Sequence, residues 1–176
     1  MATKRAGDLM IPLKDYPQVS YWATLQEAVE VIENSTIDSG GRQSLPRALL
    51  VFDEEHNLLG CVRRRDILRG LEPKFLKTMS VPERKRLFNI EIDPNLVEIT
   101  AGRVGEEMKA QAGQPVSEVM QPILATVQFD DHLAKIIYKM INRDLYMLPV
   151  MQDNRIVGVI RSVDVFQEVA RLLGEL

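Results

Sequence analysis

The stretch that decides the fold is GCVRRRDIL at positions 60–68, because it returns as GVIRSVDVF at positions 158–166. Both copies have a glycine, an arginine and an aspartate at the same spacing, Gly-x-x-Arg-x-x-Asp. Recurrence of this kind indicates an internal repeat, in which each copy is one unit that buries its apolar face against the other. The chain is therefore expected to fold as two similar halves.

Two apolar strands separated by a polar turn lead into each copy of the motif. The predicted strands are 48–52 and 58–62 in the first half and 147–151 and 156–160 in the second. They are rich in branched residues and bounded by turn formers. Because the strands are apolar almost throughout, both faces of each small sheet are expected to be covered.

An amphipathic helix precedes the strands in each half, with apolar residues at i, i+3, i+4 and i+7. These residues are Leu25, Ala28, Val29 and Ile32 in the first half and Leu133, Ile136, Ile137 and Met140 in the second. Thr24 and Glu27 form a capping-box pattern at the first helix. Asp130 or Asp131 is expected to cap the second. A last helix follows the second motif, and its apolar face consists of Phe166, Val169, Ala170 and Leu173.

Each half opens with a segment of the pattern small, acidic, apolar, Met, any, Pro, at 7–12 and 117–122. The repeats are therefore expected to span 1–72, with a polar loop insertion at about 34–46, and 116–176. Residues 73–115 connect them and contain too many apolar residues for a disordered tether. Ser80 followed by Pro82 and Glu83 predicts a helix start there, so the connection is expected to be ordered and partly helical.

The composition argues against several classes of function. The 176 residues are 45% apolar and 27% charged, with a net charge of −3, which is typical of a soluble protein with a core and favours neither nucleic acid nor membrane as a partner. The single cysteine, Cys61, predicts a reducing cytoplasm, and Cys61, His56 and His132 have no zinc spacing. The sequence has no nucleophile–base arrangement, P-loop or dinucleotide-binding motif, so we expect neither catalytic residues nor a required cofactor.

The order of these elements resembles a pair of CBS domains (cystathionine-β-synthase-type domains), a Bateman module that stands alone in this chain. The resemblance rests on the repeated Met-x-Pro, on Leu148-Pro149-Val150 in a middle strand and on the repeated Gly-x-x-Arg-x-x-Asp, and it covers about 7–71 and 116–173. It implies an α/β fold of two pseudo-twofold-related β-α-β-β-α repeats, each a small sheet packed on two helices. It also implies a regulatory homodimer that signals to an unknown effector protein.

The same resemblance implies a ligand, namely AMP, ADP, ATP or S-adenosylmethionine in the clefts between the repeats. In that family an aspartate at a helix start binds the ribose hydroxyls, and a Ser or Thr three residues earlier contacts phosphate. Here the aspartates are Asp66 and Asp164, whereas Arg63 and Arg161 stand at the Ser/Thr positions. The second cleft is expected to be the better site, because Pro149 also matches the family pattern.

Several of the candidate site residues have an ordinary structural alternative. Residues that could line an adenine slot but could equally be core are Met10, Met120, Pro122 and Pro149. Asp66 and Asp164 could merely complement a helix dipole. The only tryptophan, Trp22, is expected to be buried against the core rather than to stack on a base.

Arg161 itself has two alternatives. It can reach forward to a phosphate through two parallel hydrogen bonds, or it can lie across the cleft, held by a nearby acid, and close it. The concentration of Arg63, Arg64, Arg65 and Arg161 at one position of both halves favours the first. The second would leave a ligand-free dimerisation or scaffolding module as the alternative function.

Overall fold

The computed structural model describes residues 4–77 and 94–174. The helices are α1 (Ala6–Leu9), α2 (Leu25–Asn34), α3 (Arg64–Leu71), α4 (Lys74–Lys77), α5 (Pro94–Gln111), α6 (Leu133–Asn142) and α7 (Ser162–Gly174). The strands are β1 (Ile11–Pro12), β2 (Gln18–Ser20), β3 (Ile37–Ser39), β4 (Arg42–Ser44), β5 (Ala48–Phe52), β6 (Leu58–Arg63), β7 (Gln121–Pro122), β8 (Val127–Gln128), β9 (Met147–Gln152) and β10 (Arg155–Arg161).

Two four-stranded sheets have the same internal order, which confirms the predicted pair of α/β repeats. One sheet runs β2-β5-β6-β7 and the other β8-β9-β10-β1. In each, the outer pair β2–β5 or β8–β9 is parallel and the remaining pairs are antiparallel. The edge strand of each sheet comes from the other half of the chain, since β1 belongs to the first repeat and β7 to the second. The repeats are therefore joined by exchange of their Met-x-Pro strands.

The repeated glycines are the residues over which the exchanged strands lie. Pro12 pairs with Gly158 and Pro122 with Gly60. A Cβ on Gly158 would come within 2.5 Å of the Ile11 carbonyl oxygen, and one on Gly60 would overlap the carbonyl of Gln121. Glycine is thus required at both positions because another backbone approaches closely.

The helix starts only partly follow the sequence patterns. At α2 the predicted capping box is confirmed: the Glu27 N–H donates to Thr24 Oγ1 at 3.2 Å, and the Thr24 N–H donates to Glu27 Oε2 at 2.7 Å. The predicted cap of α6 is wrong, because the helix begins after His132 without a side-chain cap. Asp131 instead accepts a hydrogen bond from the Gln128 N–H and so closes the turn out of β8.

Within residues 4–77 and 94–174, three apolar clusters form the core, one within each repeat and one between the two sheets. The cluster of the first repeat includes Leu25, Ala28, Ile32, Leu49 and Val62; that of the second includes Leu133, Ile136, Met140, Leu148 and Ile160; the cluster between them includes Ile11, Tyr16, Ile37, Cys61 and Val159. The expected burial of Trp22 is wrong, since it is 51% exposed and packs edge-to-face on Tyr21. It sits on a turn outside all three clusters.

The connection between the repeats contains α4 and α5, so it is partly helical, as predicted. The helix start predicted at Ser80, Pro82 and Glu83 lies outside the described residues. After α5, the carbonyls of Gln114 and Ala112 accept hydrogen bonds from the N–H groups of Leu25 and Gln26, so the end of the connection caps α2. Across 4–77 and 94–174, no helix is long and apolar enough to cross a membrane.

Candidate functional site

Asp164 lies where the last strand of the second repeat turns into its last helix. β10 ends at Arg161 and α7 begins at Ser162, so Asp164 is the third residue of the helix. Its Oδ2 accepts a hydrogen bond of 3.0 Å from the backbone N–H of Arg161, which satisfies a donor that the start of a helix leaves free. Asp164 is only 4% exposed, so its carboxylate is held in place largely away from water.

The guanidinium of Arg161 lies on this same carboxylate. Nε donates to Oδ2 at 2.9 Å and Nη2 donates to Oδ1 at 2.7 Å, a bidentate geometry typical of strong charge-assisted pairs. The Arg161 side chain is 12% exposed, so solvent screens the pair little. Removing one partner of such a buried pair costs about 3–5 kcal/mol. Of the two sequence alternatives for Arg161, the structure has the one in which a nearby acid holds it.

The first repeat has the same arrangement at Arg63 and Asp66. Arg63 Nε donates to Oδ2 at 2.7 Å, Nη2 donates to Oδ1 at 2.9 Å, and the backbone N–H donates to Oδ2 at 3.0 Å. Burial raises the pKa of Asp66, but the hydrogen bonds from Arg63 outweigh it and hold that pKa below its ordinary value. Asp66 is fully buried, whereas the side chain of Arg63 is 37% exposed. An arginine–aspartate clamp is therefore a property of the repeat itself.

The surroundings distinguish the two clamps. In the second cleft the sequence insertion forms the antiparallel pair β3–β4, whose Ser39 Oγ donates to Asp164 Oδ1 at 2.9 Å. Arg161 Nη1 in turn donates to Ser44 Oγ at 2.9 Å. In the first cleft Asp66 has two further neighbours, the amide of Gln121 at 3.4 Å on the exchanged strand β7 and the guanidinium of Arg69 at 3.8 Å. The insertion is thus part of the second site. The prediction of a polar loop at about 34–46 did not indicate this.

Each member of the second clamp borders a cavity. Asp164 lines one of about 510 Å³ between the N-terminal segment, the β3–β4 pair and α7, whose polar lining includes Lys4, Asp8, Ser39, Arg42 and Glu168. Arg161 lines a smaller one of about 110 Å³ with Tyr16, Ser44 and Tyr146. A small molecule in the larger cavity would lie beside Asp164, whose side chain is 3% exposed.

The four proposed adenine-slot residues are divided between the two repeats. Met10 packs against the second-repeat core and Met120 against the first. Pro122, in β7, is exposed and lies opposite Gly60 of the first repeat. Pro149 is buried in β9 opposite Val159. Only Pro149 and Met10, which comes from the first repeat, therefore pack in the half that contains Asp164, and neither lines the cavity of about 510 Å³.

Comparison with known protein families gives one match. The family model described as the CBS domain matches residues 6–73 and 116–171, which together make up most of the chain. Among curated proteins, no sequence matches significantly.

Solved structures with the same arrangement of elements have low sequence identity. CBSX2 in complex with AMP has a TM-score of 0.59 at 16% identity, covering 96% of this chain and 98% of that one. The CBS domain of a membrane protein from Sphaerobacter thermophilus has a TM-score of 0.62 at 20% identity, covering 94% and 87%. A CBS domain-containing protein from Bacillus anthracis has a TM-score of 0.63 at 18% identity, covering 96% and 94%. These likenesses concern the fold.

Proposed function

Since the chain belongs to the CBS-domain family, we propose that it is a regulatory module, not an enzyme, whose second cleft takes an adenine nucleotide or related adenosyl ligand. The observation that carries the proposal is the position of Asp164, a buried carboxylate that lines a cavity of about 510 Å³. A carboxylate can accept one hydrogen bond from each hydroxyl of a ribose. The solved structure of CBSX2 contains AMP, a member of the ligand class that we propose.

Binding in this cleft is a competition for one carboxylate. A ribose diol requires the two oxygens that Arg161 now occupies at 2.9 and 2.7 Å. The ligand therefore binds when the guanidinium swings away, where it can pair with a phosphate instead. If the open form is about 1% populated, the apparent affinity falls about 100-fold below the intrinsic value. Arg161 thus serves both as a competitor for Asp164 and as a phosphate partner once displaced.

The signal passes to other proteins through the packing of the two repeats. Each sheet contains a strand of the other repeat, and a shared apolar cluster lies between the sheets. A ligand that prefers one arrangement of the repeats shifts the population toward it, and an effector protein that binds that arrangement responds.

Homodimerisation is part of the proposal, and exposed apolar side chains on the helices support it. Those of α6 and α7 are Tyr138, Ile141, Val163, Phe166 and Leu173, and those of α2 and α3 are Val29 and Leu68. Phe166 is 71% exposed. Val163, Phe166 and Leu173 recur at i, i+3 and i+10 along α7 and so share one face of that helix. An exposed apolar face of a helix favours a protein–protein contact, and a second copy of the chain presents the same apolar helices in return.

A ligand-free dimerisation or scaffolding module is the second candidate function. The bidentate clamps on both Asp66 and Asp164 favour it, because each satisfies within the chain the carboxylate that a ribose would need. In this alternative the clamps only fix the starts of α3 and α7.

A thermal-shift experiment with AMP, ADP, ATP and S-adenosylmethionine separates the two candidates. A ligand that binds only the folded protein raises its Tm by mass action, so at least one of the four should raise the Tm of the wild type. Asp164→Ala should abolish that rise. Asp66→Ala is the matched control, since it removes the equivalent clamp from the other repeat, and it should retain the rise. Absence of any shift in all three proteins would favour the scaffold.

A further inference from the structure

The insertion of the first repeat is a two-stranded hairpin that lies on the site of the second repeat. β3 and β4 pair from Ile37 with Ser44 to Ser39 with Arg42. Gly40 and Gly41 form the turn at φ values of 60° and 79°, a conformation that glycine adopts without strain. A Cβ on either glycine would meet nothing within 4 Å. The tip of the hairpin therefore projects into open space.

The hairpin is anchored at its base by Ile37, and it touches the site through Ser44 at its base and Ser39 next to its tip. Ile37 is buried in the cluster between the two sheets, and Asp38 is exposed. Ser39, two residues after Ile37, faces inward again, as side-chain alternation along a strand requires. Beyond Ile37, the hairpin is held to the second repeat by the Ser39–Asp164 and Ser44–Arg161 hydrogen bonds.

These two hydrogen bonds engage both members of the clamp. The Ser39 hydroxyl donates to Asp164 Oδ1 at 2.9 Å, which is the kind of contact that a ribose hydroxyl would make. Ser44 Oγ accepts a hydrogen bond of 2.9 Å from Arg161 Nη1. Nη1 is the guanidinium nitrogen that the clamp with Asp164 does not use. The hairpin thus supplies an internal hydroxyl to the carboxylate and holds the guanidinium in its closed position.

We propose that the β3–β4 hairpin is a lid on the second cleft, which takes the hydroxyl position on Asp164 and must lift before a ligand with a vicinal diol binds. This inference rests on the proposed function and adds its regulation. A lone two-stranded hairpin is marginally stable, so a lid held by two side-chain hydrogen bonds opens at modest cost. Ser39, Gly40 and Arg42 also line the cavity of about 510 Å³, so lifting the hairpin widens that cavity beside Asp164.

The test is a calorimetric titration of AMP into three proteins: the wild type, the double variant Ser39→Ala/Ser44→Ala, and Gln43→Ala. Gln43 is exposed on the same hairpin and alternates away from the face of Ser44, so it is the matched control. The double variant should bind AMP about tenfold more tightly than the wild type, because an internal competitor has been removed. Gln43→Ala should bind as the wild type does.

Tryptic cleavage after Arg42, without nucleotide, gives a second readout. Arg42 is exposed at the tip, and cleavage should be several-fold faster in the double variant, since its hairpin is no longer held. Should the double variant melt far below the wild type, Ser39→Ala alone provides the same two measurements.

The outcomes separate the lid from the function on which it rests. Equal AMP affinity in the wild type and the double variant overturns the lid and leaves the proposed function standing. Unchanged cleavage after Arg42 also overturns the lid. Failure of AMP to bind any of the three proteins, with no rise in Tm from ADP, ATP or S-adenosylmethionine in the thermal-shift experiment, overturns both.

Discussion

Arg161 and Asp164 stand three residues apart across the start of α7 and share two parallel hydrogen bonds of 2.9 and 2.7 Å. Arg63 and Asp66 repeat the relationship at the start of α3. A residue at the N-cap ordinarily accepts a hydrogen bond from the first helical turn, which an arginine side chain cannot do. The aspartate instead serves the backbone and the guanidinium together. Any ligand for these carboxylates therefore competes with the chain itself.

Gly158→Ala should destabilise the fold at the strand exchange. The new Cβ would lie 2.5 Å from the Ile11 carbonyl oxygen and 2.7 Å from Met10 Sδ, and forced overpacking costs about 1–3 kcal/mol. Urea denaturation measures the loss. Gly102→Ala is the control. Gly102 lies in α5, an added Cβ would meet nothing within 4 Å there, and alanine favours a helix. Equal free energies of unfolding for the two variants would contradict the close approach of β1 to β10.

Phe166→Lys should dissociate the proposed homodimer. Its side chain is mostly exposed among the apolar residues of α6 and α7, so a charge placed there meets the partner copy and must be desolvated. Light scattering at micromolar concentration should give twice the mass of 20.0 kDa for the wild type and the single mass for the variant. Leu59→Lys makes the same change on β6, away from the helices, and should remain dimeric. A monomeric wild type would contradict the proposal.

Glu168 should contribute to stability in a pH-dependent way. This buried α7 residue accepts hydrogen bonds from Arg171 at 2.6 Å and pairs with Lys4 at 3.0 Å. The hydrogen bond from Arg171, with a further contribution from Lys4, lowers the pKa of Glu168 to about 2. Because the folded pKa lies below the unfolded value of 4.5, the stabilisation is complete above about pH 4.5 and is lost as the pH falls toward 2.

Glu168→Gln is the variant that isolates this contribution. At pH 7 it should lower the free energy of unfolding by roughly 1–3 kcal/mol, since a charged hydrogen-bond acceptor is lost. Denaturation at pH 7, 5, 4 and 3 should show the gap between wild type and variant shrinking below pH 4.5, whereas Glu33→Gln, on the exposed face of α2, should show little gap at any pH. A gap of constant size would disprove the assignment.

The repeated elements of the fold were predictable because each has a local signature. Short apolar runs bounded by turn formers predicted the strands, the i, i+3, i+4, i+7 spacing predicted the helices, and the Thr24–Glu27 pair predicted a helix start. The exchange of β1 and β7 was not predictable, since two-residue strands have no periodicity and their partners lie far along the chain. The exposure of Trp22 was also missed, because nothing local distinguishes an aromatic residue on a turn from one packed below it.

The clamp and the hairpin each have a local sequence signature. The alternative in which Arg161 closes the cleft requires an acid near it in space. The pattern Arg-x-x-Asp at a strand–helix junction already supplies one, because it puts an aspartate three residues after the arginine. In the insertion, Gly40-Gly41 lies between two short, mostly polar segments, and Gly-Gly is a residue pair typical of a two-residue hairpin turn. That the hairpin contacts the other repeat depends on tertiary packing, which the sequence pattern does not contain.

Competition between a ribose and Arg161 for Asp164 is the central claim, and calorimetric titration with adenosine tests it most directly. Adenosine has the diol but no phosphate, so Arg161 can only hinder it. Arg161→Ser should bind adenosine at least about tenfold more tightly than the wild type, because charged hydrogen bonds that contribute roughly 1.5–3 kcal/mol no longer compete. Arg63→Ser, the equivalent change in the first repeat, should leave adenosine affinity unchanged. Equal or weaker adenosine binding by a folded Arg161→Ser protein would contradict the account.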